Sequence, residues 1–160
     1  VGQNYGAQKY DRIKDGVRMG VILSILIHIP LSAIEIFGGK RIASLMVTDP
    51  SVLELCRQYL LIVGIFVFFL GFLMVFRNCI QGMGNTWIPM LSGGLEVISR
   101  LIFGYWLGRH SFMGIAAAEA SAWISVSIML GSSFFILFRK VLRTQTPENA
   151  TDTENIGRVS

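Results

Sequence analysis

The chain has 160 residues, of which 52% are hydrophobic and 15% charged, and its formal net charge is +4. An ordinary globular domain carries roughly 25% charged residues, and a short soluble domain must cover a large surface with polar groups. The composition therefore excludes a soluble globular domain and also a largely disordered chain. Lysines and arginines flank apolar blocks and form no continuous basic stripe, so we expect no nucleic-acid partner.

Four apolar segments follow one another along the chain, and each contains 18 to 25 residues. A helix of that length crosses the roughly 30 Å hydrocarbon core of a bilayer. Strands of a membrane barrel would alternate apolar and polar residues, whereas residues 60–76 are continuously apolar. The sequence therefore predicts an all-α membrane protein with four transmembrane helices. The predicted spans are 16–37, 59–76, 87–107 and 114–138.

Local signals agree with these boundaries. Asp49 and Pro50 are typical of a helix start, with Asp as the N-cap and Pro in the first helical position. We expect chain breaks at 82–86 and 109–111, and a kink at Pro30 inside the first span.

The segment 38–48 has two interpretations. Its apolar residues fall on one helical face beside two basic residues, which suits a short helix in the membrane interface. A plain loop is the alternative. The residues concerned are Lys40, Arg41, Ile42, Leu45 and Met46.

The distribution of Lys and Arg predicts the orientation, because cytoplasmic segments of membrane proteins are enriched in them. Nine lie on the side that holds both termini, and four lie on the opposite side. We therefore expect both termini in the cytoplasm of a bacterial cell, with residues 1–15 and 139–160 outside the membrane and the tail disordered. A cytoplasmic tail would make the glycosylation sequon at 149–151 a chance match. The nine are Lys9, Arg12, Lys14, Arg18, Arg77, Arg139, Lys140, Arg143 and Arg158, and the four are Lys40, Arg41, Arg57 and Arg109.

Polar residues at membrane depth are the candidate functional residues. Glu96 and Arg100 lie four residues apart in the third span, which places them on one helix face in the favourable order for an ion pair. Such residues normally face a bundle interior or a water-filled cavity, so the pair is either structural or part of a transport path. Glu119, among small residues of the fourth span, and His28, beside Pro30, are weaker candidates for an ion or substrate pathway. We expect Glu35 to be solvated.

The sequence gives little support for enzyme chemistry. It contains no cluster with metal-ligand spacing, no nucleophile elbow and no phosphate loop, so we predict no catalytic residue, no metal and no cofactor. Gly93, Gly94, Gly104 and Gly108 are interpreted as helix-packing positions. Cys56 and Cys79 would lie about 35 Å apart along one helix, which is too far for a disulfide.

Several segments resemble the multidrug and toxic compound extrusion (MATE) family. The opening segment 1–12 resembles the signature that follows an even-numbered helix of that family, and 76–86 resembles the loop before its eleventh helix. Segments 94–100 and 114–123 are similar to parts of the eleventh and twelfth helices. The family-motif positions are Gln3, Asn4, Gly6, Ala7, Arg12, Gln81, Gly82 and Gly84.

The resemblance implies a two-lobed architecture of twelve helices, of which this chain would supply the end of helix eight and helices nine to twelve. It implies antiport of cationic or amphiphilic organic compounds against Na⁺ or H⁺ across the cell membrane by alternating access. Under this interpretation the partners are membrane lipid, small organic cations and a missing N-terminal lobe or partner chain. The lobe carrying the acidic residues usually linked to ion coupling would lie outside this sequence.

Two alternatives remain open at the level of sequence. The first is a truncated or split-transporter fragment that transports nothing alone and acts through helix contacts. The second is a relative of the lipid-linked oligosaccharide flippases, which share the twelve-helix plan. A flippase cavity should be strongly cationic to hold pyrophosphate.

Overall fold

The computed structural model describes residues 1–109 and 111–145, and these are almost entirely helical. A π-helical turn, Ile34–Gly38, joins the second and third α-helices. No strand occurs in the described ranges. The α-helices are α1 (Gly2–Gly6), α2 (Tyr10–Ala33), α3 (Gly39–Ala43), α4 (Pro50–Gly82), α5 (Trp87–Gly108) and α6 (Phe112–Gln145).

Within residues 1–109 and 111–145, three helical segments are long and apolar enough to cross a membrane, which confirms the prediction of an all-α membrane protein. They are Tyr10–Ala43, Pro50–Gly82 and Phe112–Arg143. The third predicted span, now α5, is a helix of the expected length but is not among the three. Its charged residues Glu96 and Arg100 lower its mean hydropathy, so composition alone supports three of the four predicted crossings.

The helices extend further than the predicted spans. α2 begins at Tyr10 instead of 16, and α6 continues to Gln145, beyond the predicted end at 138. Apolar residues mark the part of a helix that suits the bilayer, and polar residues continue the same helix past it. The rest of the predicted tail, including the sequon at 149–151, and residue 110 lie outside the described residues.

The predicted helix start at Asp49 and Pro50 and the predicted break at 82–86 are confirmed. The Asp49 carboxylate accepts hydrogen bonds from the backbone N–H groups of Ser51 and Val52, at 2.7 and 3.3 Å. α4 ends at Gly82, and Gly84 adopts a left-handed φ of 82° in the turn to α5. Pro30 lies inside α2, a few residues before the π-helical turn. Segment 38–48 is helical over Gly39–Ala43 and then becomes a turn.

The helices pack in the spatial order α2, α4, α6, α5, which differs from the chain order. α6 has extensive contacts with both α5 and α4, and α4 packs against α2 on its other side, whereas α4 and α5 touch only slightly. The main core lies between α2, α4 and α6, and its members include Ile13, Leu73, Ile80, Val126 and Leu130, all fully buried. α4 and α6 are therefore the two inner helices of the described structure.

Small residues allow the close helix contacts. A Cβ atom on Gly64 of α4 would lie 2.9 Å from Cγ1 of Ile36, and Ser32 of α2 donates a hydrogen bond to the Gly64 carbonyl at 2.6 Å. On the other side of the bundle, a Cβ on Gly104 of α5 would lie 4.0 Å from the Cβ of buried Ala118. Close approach at these positions follows the small-residue packing rule for membrane helices.

The packing interpretation of the glycines is supported at two positions, and the other two have no packing partner in the described chain. Gly104 contacts α6 through Ala118, and a Cβ on Gly108 would lie 3.4 Å from Ile115. A Cβ on Gly93 or Gly94 would meet nothing within 4 Å in the described chain, so neither glycine is a packing position there.

Candidate functional site: a polar network joining three helices

Four charged side chains from α4, α5 and α6 form one continuous network. Arg77 of α4 donates to Oε2 of Glu96 at 3.0 Å, and Arg100 of α5 donates to Oε1 of Glu96 at 2.9 Å. Arg100 also donates to Oε1 of Glu119 on α6 at 2.7 Å. The predicted pairing of Glu96 with Arg100 is therefore present, and it extends to a neighbouring helix at each end.

One nitrogen atom, Nη2 of Arg100, serves both carboxylates. Glu96 and Glu119 belong to different helices, so this single guanidinium connects α5 to α6. The second connection, from Arg77 to Glu96, joins α4 to α5 where the backbones of those two helices scarcely touch. The network thus adds polar contacts both to α5 and α6, which pack closely, and to α4 and α5, which do not.

The charges balance and are partly shielded. Two arginines face two glutamates, and the side-chain exposures are 22% for Arg77, 17% for Glu96, 42% for Arg100 and 26% for Glu119. Charged groups in hydrocarbon are costly unless they are paired, and here each carboxylate has an arginine partner. Arg100 is the most accessible member, so the network opens to its surroundings on the α5 side.

Arg77 was not predicted as a site residue, since its position near the end of an apolar block assigned it to a loop. It lies within α4, five residues before the helix ends at Gly82. Because α4 and α5 run in opposite directions around the short turn after Gly82, Arg77 and Glu96 reach similar depths. One sequence signal could have located Arg77 as a partner of Glu96. The two residues lie on either side of the single turn that joins α4 to α5.

His28 belongs to a different contact surface, between α2 and α4. Its Nδ1 lies 2.6 Å from the backbone carbonyl oxygen of Ser24 and 3.4 Å from the Ser24 hydroxyl. The ring centroid lies 6.5 Å from that of Phe68 on α4. The structure therefore does not bring His28 together with Glu96, Arg100 and Glu119, and it supports the structural interpretation of this histidine.

Glu35 differs from the expectation that it is solvated. The residue is half-buried in the π-helical turn, beside Gly64 of α4, and its Oε2 atom is buried without a hydrogen-bond partner in the described part of the chain. The π-helical turn places it against α4, a feature that apolar periodicity does not reveal.

The two segments that carry the family motif meet in space. Backbone atoms of Gly2 and Gly82 approach closely, and Tyr5 lines a groove of about 410 Å³ together with residues 83–87. Among the motif positions, Asn4, in α1, and Gly82 are half-buried, Ala7 caps α1, and Gly84 takes the left-handed turn. Exposed members of the set are Gln3, Gly6, Ala7, Arg12, Gln81 and Gly84.

Comparison with known proteins agrees with this architecture. The MatE family model matches residues 1–106. A probable multidrug resistance protein NorM of Thermotoga maritima is 25% identical over 141 residues, covering 86% of this chain and 30% of its own length. A protein of the same description from Aromatoleum aromaticum is 25% identical over 155 residues, covering 91% and 34%. No solved structure matches.

Helices apolar and long enough to cross a membrane, joined by a charged network, are those of an integral membrane protein. The family match then gives the particular assignment: the chain belongs to the MatE family of multidrug efflux transporters. It spans about a third of the length of the curated relatives it matches.

Proposed function

We propose that the chain is the C-terminal part of an antiporter that exports cationic or amphiphilic organic compounds in exchange for Na⁺ or H⁺. It would contribute helices nine to twelve of a twelve-helix transporter in the cell membrane, with both termini in the cytoplasm. The family match and the similarity to two probable multidrug resistance proteins support this proposal. The remaining helices would come from the rest of the polypeptide or from a partner chain.

The shared nitrogen of Arg100 is the observation that carries the proposal. Glu119 and Glu96 both bind it, at 2.7 and 2.9 Å. A cation that reaches Glu119 competes with Arg100 for the carboxylate. If the cation displaces Arg100 from Glu119, Arg100 keeps its contact with Glu96. The polar connection from α5 to α6 is then lost.

This competition offers a way to couple binding to movement. A ligand shifts a conformational equilibrium only through its different affinity for the two states. A cation, or a proton on Glu119, stabilises the state in which the α5–α6 contact is open, and Arg100 stabilises the closed state. Alternating access then requires that the two states expose the site to opposite sides of the membrane.

The flippase alternative receives no support from the network. Pyrophosphate recognition needs cationic groups that are available to the ligand. In the described ranges, both arginines of the network, Arg77 and Arg100, are neutralised by carboxylates. The local charge instead favours a ligand that competes with arginine, namely a cation.

The first experiment measures the mass of the native polypeptide. The 160 residues have a mass of 17.8 kDa. Intact-mass analysis of material captured with an antibody against a peptide of residues 144–160 gives a value several times larger if one polypeptide carries both lobes. A value close to 17.8 kDa, without a co-purifying partner, contradicts the proposal of a two-lobed transporter.

The second experiment tests the network in the native polypeptide with efflux of a fluorescent organic cation from cells. We expect Glu119→Gln to reduce efflux at least tenfold without reducing the amount of folded protein. The matched control is Glu54→Gln, since Glu54 pairs with Arg57 on the exposed surface of α4 at 2.7 Å, outside the network. If replacing both Glu96 and Arg100 by apolar residues preserves folding and efflux, the transport role of the network is wrong.

A further inference from the structure

A groove of about 630 Å³ lies between α2 and α6, over one end of α4. Both helices pack on α4, and they have no extensive contact with each other in the described part of the chain. The groove is the space this arrangement leaves between them. Its volume is within the range of about 300–1,000 Å³ that ligand sites occupy.

Aromatic side chains that pack on one another form the floor of the groove. The ring centroids of Phe76 and Phe134 are 5.7 Å apart, and Phe134 stacks on Phe138 at 5.7 Å with an interplanar angle of 14°. Phe134 and Phe138 are buried, whereas Phe135 is 60% exposed at the edge of the groove. An apolar chain can lie on this floor without displacing any side chain hydrogen bond.

The rim of the groove is cationic. Lys14 and Arg18 line it from consecutive turns of α2. Nζ of Lys14 lies 6.0 Å from the centroid of Phe138, so the charge sits directly beside the aromatic floor. Lys14 also pairs with Asp11 at 3.3 Å, but Asp11 is 96% exposed and such surface pairs are weak. Arg18 has no ion pair or hydrogen bond among residues 1–109 and 111–145.

A cationic rim beside an apolar floor is complementary to an amphiphile with an anionic head. In a helical membrane protein, the end of the bundle lies at the level of the lipid headgroups, and basic pockets between helices bind anionic headgroups there. α6 adds Arg139 and Arg143 just beyond Phe138, which raises the positive potential at this end. An additional protein helix would instead have to bury Lys14 and Arg18 against its own surface.

We infer that this groove binds an anionic phospholipid, with the phosphate between Lys14 and Arg18 and an acyl chain along Phe76, Phe134 and Phe138. The site is separate from the network of Arg77, Glu96, Arg100 and Glu119. It does not depend on the proposed transport function.

The test compares dioleoyl phosphatidylglycerol with dioleoyl phosphatidylcholine, using the native full polypeptide in detergent and native mass spectrometry. We expect phosphatidylglycerol to be retained in preference to phosphatidylcholine. The variant Lys14→Gln/Arg18→Gln should weaken phosphatidylglycerol binding by about fivefold per charge, or about 25-fold in total. The matched control Lys40→Gln/Arg41→Gln removes the same charge from α3, which follows the opposite end of α2, and should leave binding unchanged.

Three outcomes of that experiment overturn the inference: equal retention of the two lipids, no effect of Lys14→Gln/Arg18→Gln, or an equal loss in the control variant. Displacement of the lipid by millimolar inorganic phosphate also overturns it, because the site would then recognise a free anion.

A second measurement locates the acyl chain. Phosphatidylglycerol with a photoreactive group in the middle of one chain should label residues 134–138, and Phe135→Cys should react with a lipid-soluble maleimide. Label found only elsewhere contradicts the inference. Protection of the cysteine in lipid-free protein contradicts it as well, since another segment of the polypeptide would then fill the groove.

Discussion

Gly71 of α4 lies directly against the imidazole ring of His28 in α2. A Cβ atom on residue 71 would lie 2.7 Å from Cε1 of His28 and 2.9 Å from its Nδ1, and it would also clash with the hydroxyl of Ser24. Real Cβ atoms essentially never approach so closely. The absence of a side chain at residue 71 is therefore what allows α2 and α4 to approach each other at this level.

Replacing this glycine should loosen the α2–α4 contact. We expect Gly71→Ala to lower the free energy of unfolding by about 1–3 kcal/mol, because an extra methyl in a packed interface forces neighbours apart. The measurement is thermal or denaturant unfolding of the native polypeptide in detergent. Gly93→Ala is the control, since a Cβ there meets nothing within 4 Å. A Gly71→Ala protein at least as stable as the control contradicts the close contact.

The contact between Arg77 and Glu96 should be energetically coupled. A double-mutant cycle with Arg77→Gln and Glu96→Gln is expected to give an interaction free energy of about 0.5–3 kcal/mol, as for residues in one network. The same cycle on Glu54 and Arg57, whose side chains are 45% and 41% exposed, should show a weaker coupling, because solvent screens that pair although its contact is bidentate. Equal coupling in the two cycles would mean that the network adds nothing beyond a surface ion pair.

A hydrogen bond between helices should stabilise the α4–α6 contact. The Ser127 hydroxyl donates to the backbone carbonyl of Phe69 at 2.8 Å. We expect Ser127→Ala to reduce the free energy of unfolding by about 0.6 kcal/mol, with about 1.7 kcal/mol as the upper limit for such bonds in membranes. Ser125→Ala removes a hydroxyl that binds only its own helix, at Ser121. The prediction fails if both variants are destabilised equally.

The proposed orientation can be tested with single cysteines. In a background with Cys56 and Cys79 replaced by Ala, a membrane-impermeant maleimide applied to whole cells should label Met46→Cys and Ser111→Cys. It should not label Thr86→Cys until the cells are opened, because the proposal places the turn before α5 in the cytoplasm. Labelling of Thr86→Cys but not Ser111→Cys in intact cells reverses the orientation. Equal accessibility of these two positions means that α5 does not cross.

Much of the helical framework was predictable from the sequence because its determinants are local. The length of the four apolar segments predicted a helix at each of their positions. Asp49 indicated a helix start because it can cap one, and Gly82 indicated a helix end because it opens a glycine-containing turn. The outer limits of α2 and α6 were not predictable in the same way, since polar residues continue a helix without any change in apolar pattern.

Sequence reasoning predicted only the contact of the site that lies within α5, between Glu96 and Arg100. The spacing of Glu96 and Arg100 required no knowledge of packing, so that pair was accessible to sequence reasoning. The contacts with Arg77 and Glu119 depend on which helices become neighbours, and the order α2, α4, α6, α5 is not the chain order. The burial of Glu35 depends on a π-helical turn, which leaves no periodic signal in the sequence.

The position of α6 between α4 and α5 has a consequence for synthesis. During translation α5, which is not among the segments apolar enough to cross a membrane, is made before its main packing surface on α6 exists. At that stage Arg77 is already present in α4 and can neutralise Glu96, whereas Arg100 gains its second partner only with Glu119. The packing and ion pairing of α5 are therefore completed only by α6, the last described helix.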